Sequence, residues 1–156
     1  LIKTISGKTF PEDITDFRVQ LPVLDKIIEK MPNLNMFFIV SNQGGLKTFT
    51  DKRLFNYKIW AIEDICHGYL INKLNNFSYS DDLYCCSMDK NNTYRKPNTG
   101  MLEQLYYQYQ YKLDSKDECI MIGDASGKPG DFSDSDKKCA ENFGIDYIDV
   151  RDFLEL

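Results

Sequence analysis

Helical and extended hydrophobic patterns alternate along this sequence from residue 20 onward, and few folds satisfy that order. Residues 20–31 place Leu21, Leu24, Ile27, Ile28 and Met31 at helical spacing, with Pro22 tolerated in the first turn. Residues 36–40 are an unbroken apolar run, Met-Phe-Phe-Ile-Val, expected to form a strand buried on both faces. Gly44-Gly45 reads as a loop. Residues 51–74 repeat the helical period, with Phe55, Ile59, Ile62, Ile65, Cys66, Tyr69 and Leu70 on one side. Further strands are predicted at 83–88, 118–122 and 145–150. Further helices are predicted at 99–112 and from Ser133 or Asp134 as N-cap to a stop at Gly144. After a hairpin-like start the order is α–β–α–β–α–β–α–β, with no internal repeat, linker or low-complexity block. The expectation is one α/β domain over 1–156 with a parallel sheet flanked by helices. In such sheets ligands sit beyond the carboxyl ends of the strands.

Composition narrows the chemistry. A single histidine, His67, excludes His-based metal clusters and argues against Ser-His-Asp or Cys-His catalysis. Five cysteines without a CxxC pair (Cys66, Cys85, Cys86, Cys119, Cys139) read as reduced thiols packed as small hydrophobes, in an intracellular protein without zinc. Apolar residues are 42% and charged residues 28%, a globular balance, and the net charge of −5 provides no global basic field. No apolar run reaches the roughly 20 residues of a membrane helix, so no membrane partner is expected. The chain starts at Leu1 with no signal-peptide pattern to account for it, and is expected to lack its true start.

The polar residues at the predicted strand ends are candidates for function. Ser41-Asn42-Gln43 follows the first apolar strand, as crevice donors or as plain turn chemistry. Tyr94-Arg95-Lys96-Pro97-Asn98-Thr99-Gly100 puts two cations at a helix start, where an anion also favours the helix terminus; a solvated loop is the alternative. Ile120-Met121-Ile122-Gly123-Asp124 exposes a carboxylate suited to a hard cation such as Mg²⁺, or to an N-cap. Asp131, Asp134 and Asp136 lie at the start of the next helix, where they also suit its dipole. Gly123 to Lys128 imitates a P-loop but has three residues between its glycines and Pro129 after the lysine, so a nucleotide-triphosphate site is rejected. Taken in order, these residues form a phosphate-handling set: Ser41 and Asn42 to hydrogen-bond phosphoryl oxygens, Lys96 to neutralise them, Asp124 to hold Mg²⁺.

The set resembles the haloacid dehalogenase superfamily of phosphatases, and most of all the 3′-phosphatase domain of polynucleotide kinase 3′-phosphatases. The resemblance rests on residues 1–11, Ser41-Asn42-Gln43, residues 94–101, Gly123 to Pro129, and Asp131 to Asp136 with Ala140. It implies a Rossmann-like fold with little or no cap domain. It assigns catalytic roles to Ser41, Lys96, Asp124 and Asp136, with Asp124 and Asp136 on the metal and Asp136 alternatively pairing Lys96. Asn42, Gln43, Lys8, Arg95 and Lys128 become substrate-binding candidates, Asp131 a lesser one, and Mg²⁺ the cofactor. The implied partner is the 3′-phosphate end of a nucleic acid, as in DNA repair, held by a rim of Lys3, Lys8, Lys47, Lys52, Arg53, Lys90, Arg95, Lys96 and Lys128 on loops at the carboxyl edge or beside it.

The family's nucleophile and acid/base lie in Asp-x-Asp-Gly-Thr before a segment like Leu1-Ile2, and neither carboxylate is in this sequence. Asp13 and Asp16 do not replace them by spacing. The expectation is an upstream first strand and aspartate pair, without which residues 1–156 do not turn over. Two other functions stay open: a sugar or histidinol phosphate phosphatase, whose usual Cys/His zinc loop is missing here, and a non-catalytic binding module. Tyr106, Tyr107, Tyr109 and Tyr111 read as amphipathic packing before base stacking, and Trp60 as core or partner-facing.

Overall fold

The hairpin-like start is a pair of short antiparallel strands, β1 (Ile2–Lys3) and β2 (Arg18–Val19), with Ile2 opposite Val19. The computed structural model describes residues 1–8, 11–113 and 115–156. Asp16 organises the long connection between these strands. Its carboxylate accepts from Ser6 Oγ (2.7 Å), Ser6 N (2.8 Å) and Glu12 N (2.9 Å). The Ser6 hydroxyl first, then these amides, hold its pKa at about 2, against 3.8 in an open chain. A depressed carboxylate contributes its stability above the open-chain value and loses it as pH falls toward the folded value. Asp16→Asn should therefore flatten the acid limb of unfolding between about pH 4 and pH 2, read by circular dichroism.

The chain divides into two compact units, Leu1–Ile39 with Gly45–Leu83, and Val40–Gly44 with Tyr84–Leu156. In the first, α1 (Leu21–Lys30) carries its proline in the first turn and buries Val23, Leu24 and Ile27. It packs on α2 (Phe49–Ile71), whose buried stripe is Phe55, Ile59, Ile62, Cys66 and Leu70. α2 starts before the predicted residue 51 because Thr48 and Asp51 form a capping box: Thr48 Oγ1 accepts from Asp51 N (3.0 Å), and Asp51 Oδ2 from Thr48 N (2.9 Å). Ile65 was expected inward but is 46% exposed, because it stands about 100° round the helix from Cys66. Trp60 is half exposed and so is not core.

β3 (Met36–Asn42) and β4 (Tyr79–Cys85) form the second pair. Two expectations are corrected here. The 36–40 run is not buried on both faces: Met36 is buried, but Phe37 to Val40 are only half-buried, since among the described residues β3 pairs with β4 alone. The next strand begins four residues before the predicted 83, through the polar Ser80-Asp81-Asp82, where α2 satisfies the Ser80 hydroxyl. Ser80 Oγ donates to Glu63 Oε1 (2.9 Å) and lies 2.9 Å from His67 Nδ1. The Ser80 proton goes to Glu63, so Nδ1 carries the proton of the second bond. His67 is thus structural.

Asp82 faces the same glutamate. Burial first, then the charges of Glu63 and Asp81, push its carboxyl up to about 6. A carboxylate raised in the fold makes stability fall as pH climbs from the open-chain value through the folded one. Asp82→Asn should raise the melting temperature at pH 7 and leave it nearly unchanged at pH 4, measured by calorimetry at both values.

The second unit carries α3 (Gly100–Tyr109), continued by a 3₁₀ turn at Gln110–Lys112. It buries Met101, Leu105 and Tyr109 and leaves Tyr107 and Tyr111 exposed. β5 (Ile120–Gly123) and β6 (Asp146–Asp149) are parallel, with Gly123 opposite Asp149, and α4 (Ser135–Phe143) connects them and packs on both. This β–α–β passage gives the α/β class with parallel strands flanked by helices. Among the described residues the strands form three two-stranded sheets rather than one continuous sheet. α4 stops at Gly144, whose φ of +84° is the left-handed C-cap expected. Asp134 stands at its N-cap without capping, because its carboxylate pairs with Lys138 (2.5 Å). The last strand ends at Asp149, and a short helix, α5 (Val150–Glu155), follows where no helix was anticipated.

All five cysteines are free, and Cys66, Cys85 and Cys139 are buried. Burial pushes Cys66 and Cys139 up to about 11, so both are protonated thiols at neutral pH. Among the described residues no helix is long and apolar enough to cross a membrane.

Candidate active site

Ser41 and Asn42 close β3, and Gln43 follows them. The Gln43 main chain donates to Cys85 O (2.7 Å), and its side-chain amide donates to Ser41 Oγ (2.7 Å). Asn42 uses both ends of its amide on the main chain of Lys96: Nδ2 donates to Lys96 O (2.9 Å) and Oδ1 accepts from Lys96 N (3.0 Å). A carboxamide, being donor and acceptor at once, imitates a peptide group in this way. The clasp brings Lys96 to the end of β3. There Nζ donates to Val40 O (2.9 Å) and pairs with Asp136 Oδ1 (2.8 Å). Lys96 is 8% exposed and Asp136 7%.

Asp136 belongs to the first turn of α4. Its N–H donates to Ala125 O (3.1 Å) and its Oδ2 accepts from Ala125 N (3.4 Å). It fits against β5 only because residue 123 is glycine: a Cβ there would stand 2.5 Å from Asp136 Oδ2 and 2.9 Å from Asp136 Cβ. Of the two roles expected for Asp136, the structure contains the ion pair with Lys96. Asn42, Lys96, Asp136 and the end of β5 are thus joined by direct contacts.

Asp124 is exposed at that strand end, and among the described residues its carboxylate has no hydrogen-bond or ion-pair partner. Both Asp136 oxygens are engaged, and among the described residues no three His, Cys, Asp or Glu side chains gather as a metal-holding group. Such a donor set fits Mg²⁺, which keeps several waters and takes one or two carboxylates plus substrate phosphate, and does not fit an all-protein cage.

Four carboxylates act on Tyr147 by their charge, without gathering as a metal-holding group among the described residues. The Tyr147 hydroxyl donates to Gly123 O (3.1 Å). Burial, then the charges of Asp136, Asp149, Asp124 and Asp131, raise its pKa, so it remains a donor. Sequence reasoning missed the network that holds two of these acids. Asp131 Oδ2 accepts from Ser126 Oγ (2.7 Å), Lys128 N (3.0 Å) and Ser126 N (3.1 Å). Arg151 Nη2 reaches Asp131 Oδ1 (2.9 Å) and Asp149 Oδ2 (2.5 Å). The Arg151 guanidinium holds the Asp149 carboxyl well below the usual range, and the Ser126 hydroxyl lowers that of Asp131. A signal existed: Asp149 ends its strand directly beside Gly123, with an arginine two residues on.

Arg95, Lys128 and Lys8 have partners of their own. Arg95 Nη1 ties its own loop by donating to Ser87 O (2.8 Å). Lys128 pairs with Asp152 (2.5 Å) on the surface. Lys8 belongs to the other unit, where it pairs with Glu12. Thr9 and Phe10 of the first resemblance block lie outside the described residues. Of the expected basic rim, Lys96 is buried and so is not an open surface charge, while Lys3 in β1 and Lys52 and Arg53 in α2 are exposed but lie on elements rather than loops.

Residues 1–153 match the family described as Polynucleotide kinase 3 phosphatase. The chain is 31% identical over 157 residues to a protein of Schizosaccharomyces pombe named bifunctional polynucleotide phosphatase/kinase, a match covering 99% of this chain and 35% of that protein. It is 28% identical over 157 residues to a putative bifunctional polynucleotide phosphatase/kinase of Acanthamoeba polyphaga mimivirus, covering 86% and 36%. The chain spans about a third of the length of these curated relatives. With the match extending over nearly all of its length, the chain belongs to the polynucleotide kinase 3 phosphatase family.

Proposed function

We propose that this protein hydrolyses the 3′-phosphomonoester of a polynucleotide end. The observation that carries the reading is the Lys96 ammonium, buried at the end of β3 and fixed by Val40 O and Asp136. A cation already held in place needs no reorganisation when negative charge spreads over the phosphoryl oxygens. Ser41, at the same strand end, offers a hydroxyl to those oxygens. Asn42 and Asp136 act through Lys96, as positioning residues. Mg²⁺, with Asp124 as its carboxylate ligand, supplies further neutralisation of the phosphate when bound. The nucleophile is an aspartate outside these 156 residues. It forms an aspartyl-phosphate, while a second aspartate protonates the leaving 3′-oxygen and then activates water.

The names of the two relatives favour a polynucleotide over a sugar phosphate. The test is phosphate release by the full-length protein from a 3′-phosphorylated oligonucleotide, a 5′-phosphorylated one and sugar phosphates, each with and without Mg²⁺. Release from the 3′-phosphorylated oligonucleotide alone, only with Mg²⁺, is expected. Affinity should fall only shallowly with salt, since an end-binding enzyme neutralises few phosphates. Faster release from a sugar phosphate would overturn the reading.

A further inference from the structure

A hollow of about 550 Å³ lies in the first unit, lined by the β1–β2 connection, β2, the start of α1 and α2. That volume is within the usual range for small-molecule sites. Phe17, Val19, Leu21, Tyr57, Ala61 and Ile65 make its wall apolar, and Lys58 stands among them. Lys58 is only 6% exposed. Its Nζ lies 5.3 Å from the Phe17 ring centroid. Among the described residues, no carboxylate forms an ion pair with that ammonium and no acceptor takes a hydrogen bond from it. Burial lowers its pKa, opposed only by the more distant charges of Asp16 and Asp13. The Asp16 oxygens are already committed to Ser6 and Glu12. An ammonium in an apolar wall without a counter-ion is an expensive arrangement, and the structure retains it at this hollow.

We propose that this hollow binds a small organic monoanion, an apolar body bearing one carboxylate, with the head on Lys58 Nζ and the body against Phe17, Tyr57 and Ile65. One buried cation matches one negative charge. Arg18 also lines the hollow but is exposed, so its charge is solvated and discriminates little. A dianionic phosphate head would leave its second charge against hydrocarbon. The site is independent of the phosphatase reading and uses none of its residues.

Octanoate, octyl phosphate, octylamine and octanol serve as probes, titrated into the full-length protein by calorimetry with thermal unfolding in parallel. Octanoate should bind and raise the melting temperature, and the other three should bind at least about tenfold more weakly. Lys58→Met should weaken octanoate about tenfold while keeping the fold, because a thioether of similar length suits the apolar wall. Ala61→Phe should weaken it comparably by filling the hollow with Lys58 intact, and decides the matter alone if Lys58→Met does not fold. The proposal is overturned if octanoate fails to bind, if octanol equals it, if octyl phosphate exceeds it, or if neither variant changes its affinity.

Discussion

Lys96→Met should lower unfolding free energy by about 3–5 kcal/mol and abolish phosphatase activity together, because the substitution strands a buried carboxylate. Asp136 is 7% exposed, and its Oδ1 meets the Lys96 ammonium at 2.8 Å. Asp136 has little room to turn away, since α4 holds its main chain and Gly123 lies directly behind its side chain. The double variant Lys96→Met with Asp136→Asn should regain most of the stability, because a neutral amide in that place needs no counter-ion. Activity should not return with it. Urea unfolding of the wild type and both variants reads the first effect, and initial rates on a 3′-phosphorylated oligonucleotide read the second. Equal stability of the single and double variants would mean that the pair is no structural unit. Retained activity in either would remove Lys96 from the proposed chemistry.

Asp124→Asn should do the opposite: leave stability within about 0.5 kcal/mol and reduce phosphate release by about 10²–10³-fold. The stability half follows from exposure and from a carboxylate with no partner among the described residues. The activity half follows from its proposed place as the protein's carboxylate ligand to Mg²⁺. A higher half-saturating Mg²⁺ concentration, with the substrate KM little changed at saturating metal, would separate a ligand from a merely acidic neighbour. An Asp124→Asn protein with normal Mg²⁺ dependence would refute that assignment.

How much of this was legible in the sequence depended on how local each determinant is. The proline of α1, the left-handed glycine ending α4 and the apolar period of α2 all act within a turn or two, and each element was found at about the right place. The start of β4 was missed because Ser80 and Asp82 look like loop residues until Glu63 and His67 of α2 meet them. α5 was missed because Val150 continues the apolar run of the strand before it, while the Asp149 side chain, accepting from Arg151 N (2.8 Å), starts a helix there. At the site, residue types and order grouped Ser41, Asn42, Lys96 and Asp124 as one phosphate-handling set, and the family resemblance added Asp136. Their division of labour required coordinates. Asn42 was expected to face substrate, whereas both ends of its amide go to the Lys96 main chain. The Arg151 network also takes in Asp131 of the β5–α4 loop, which no local spacing connects to Arg151.

The Asn42 clasp also dictates when the buried ammonium acquires its place. Its two hydrogen bonds join residues 54 positions apart. Closing a loop of that length lowers chain entropy before any contact offsets it, so such contacts belong to the later part of folding. The Lys96 amide proton should accordingly exchange with solvent only through the cooperative opening that releases its unit, in the slowest class of amides rather than with the fraying loops around it. A chain arrested before that step would have its α-helices but no fixed cation at the end of β3.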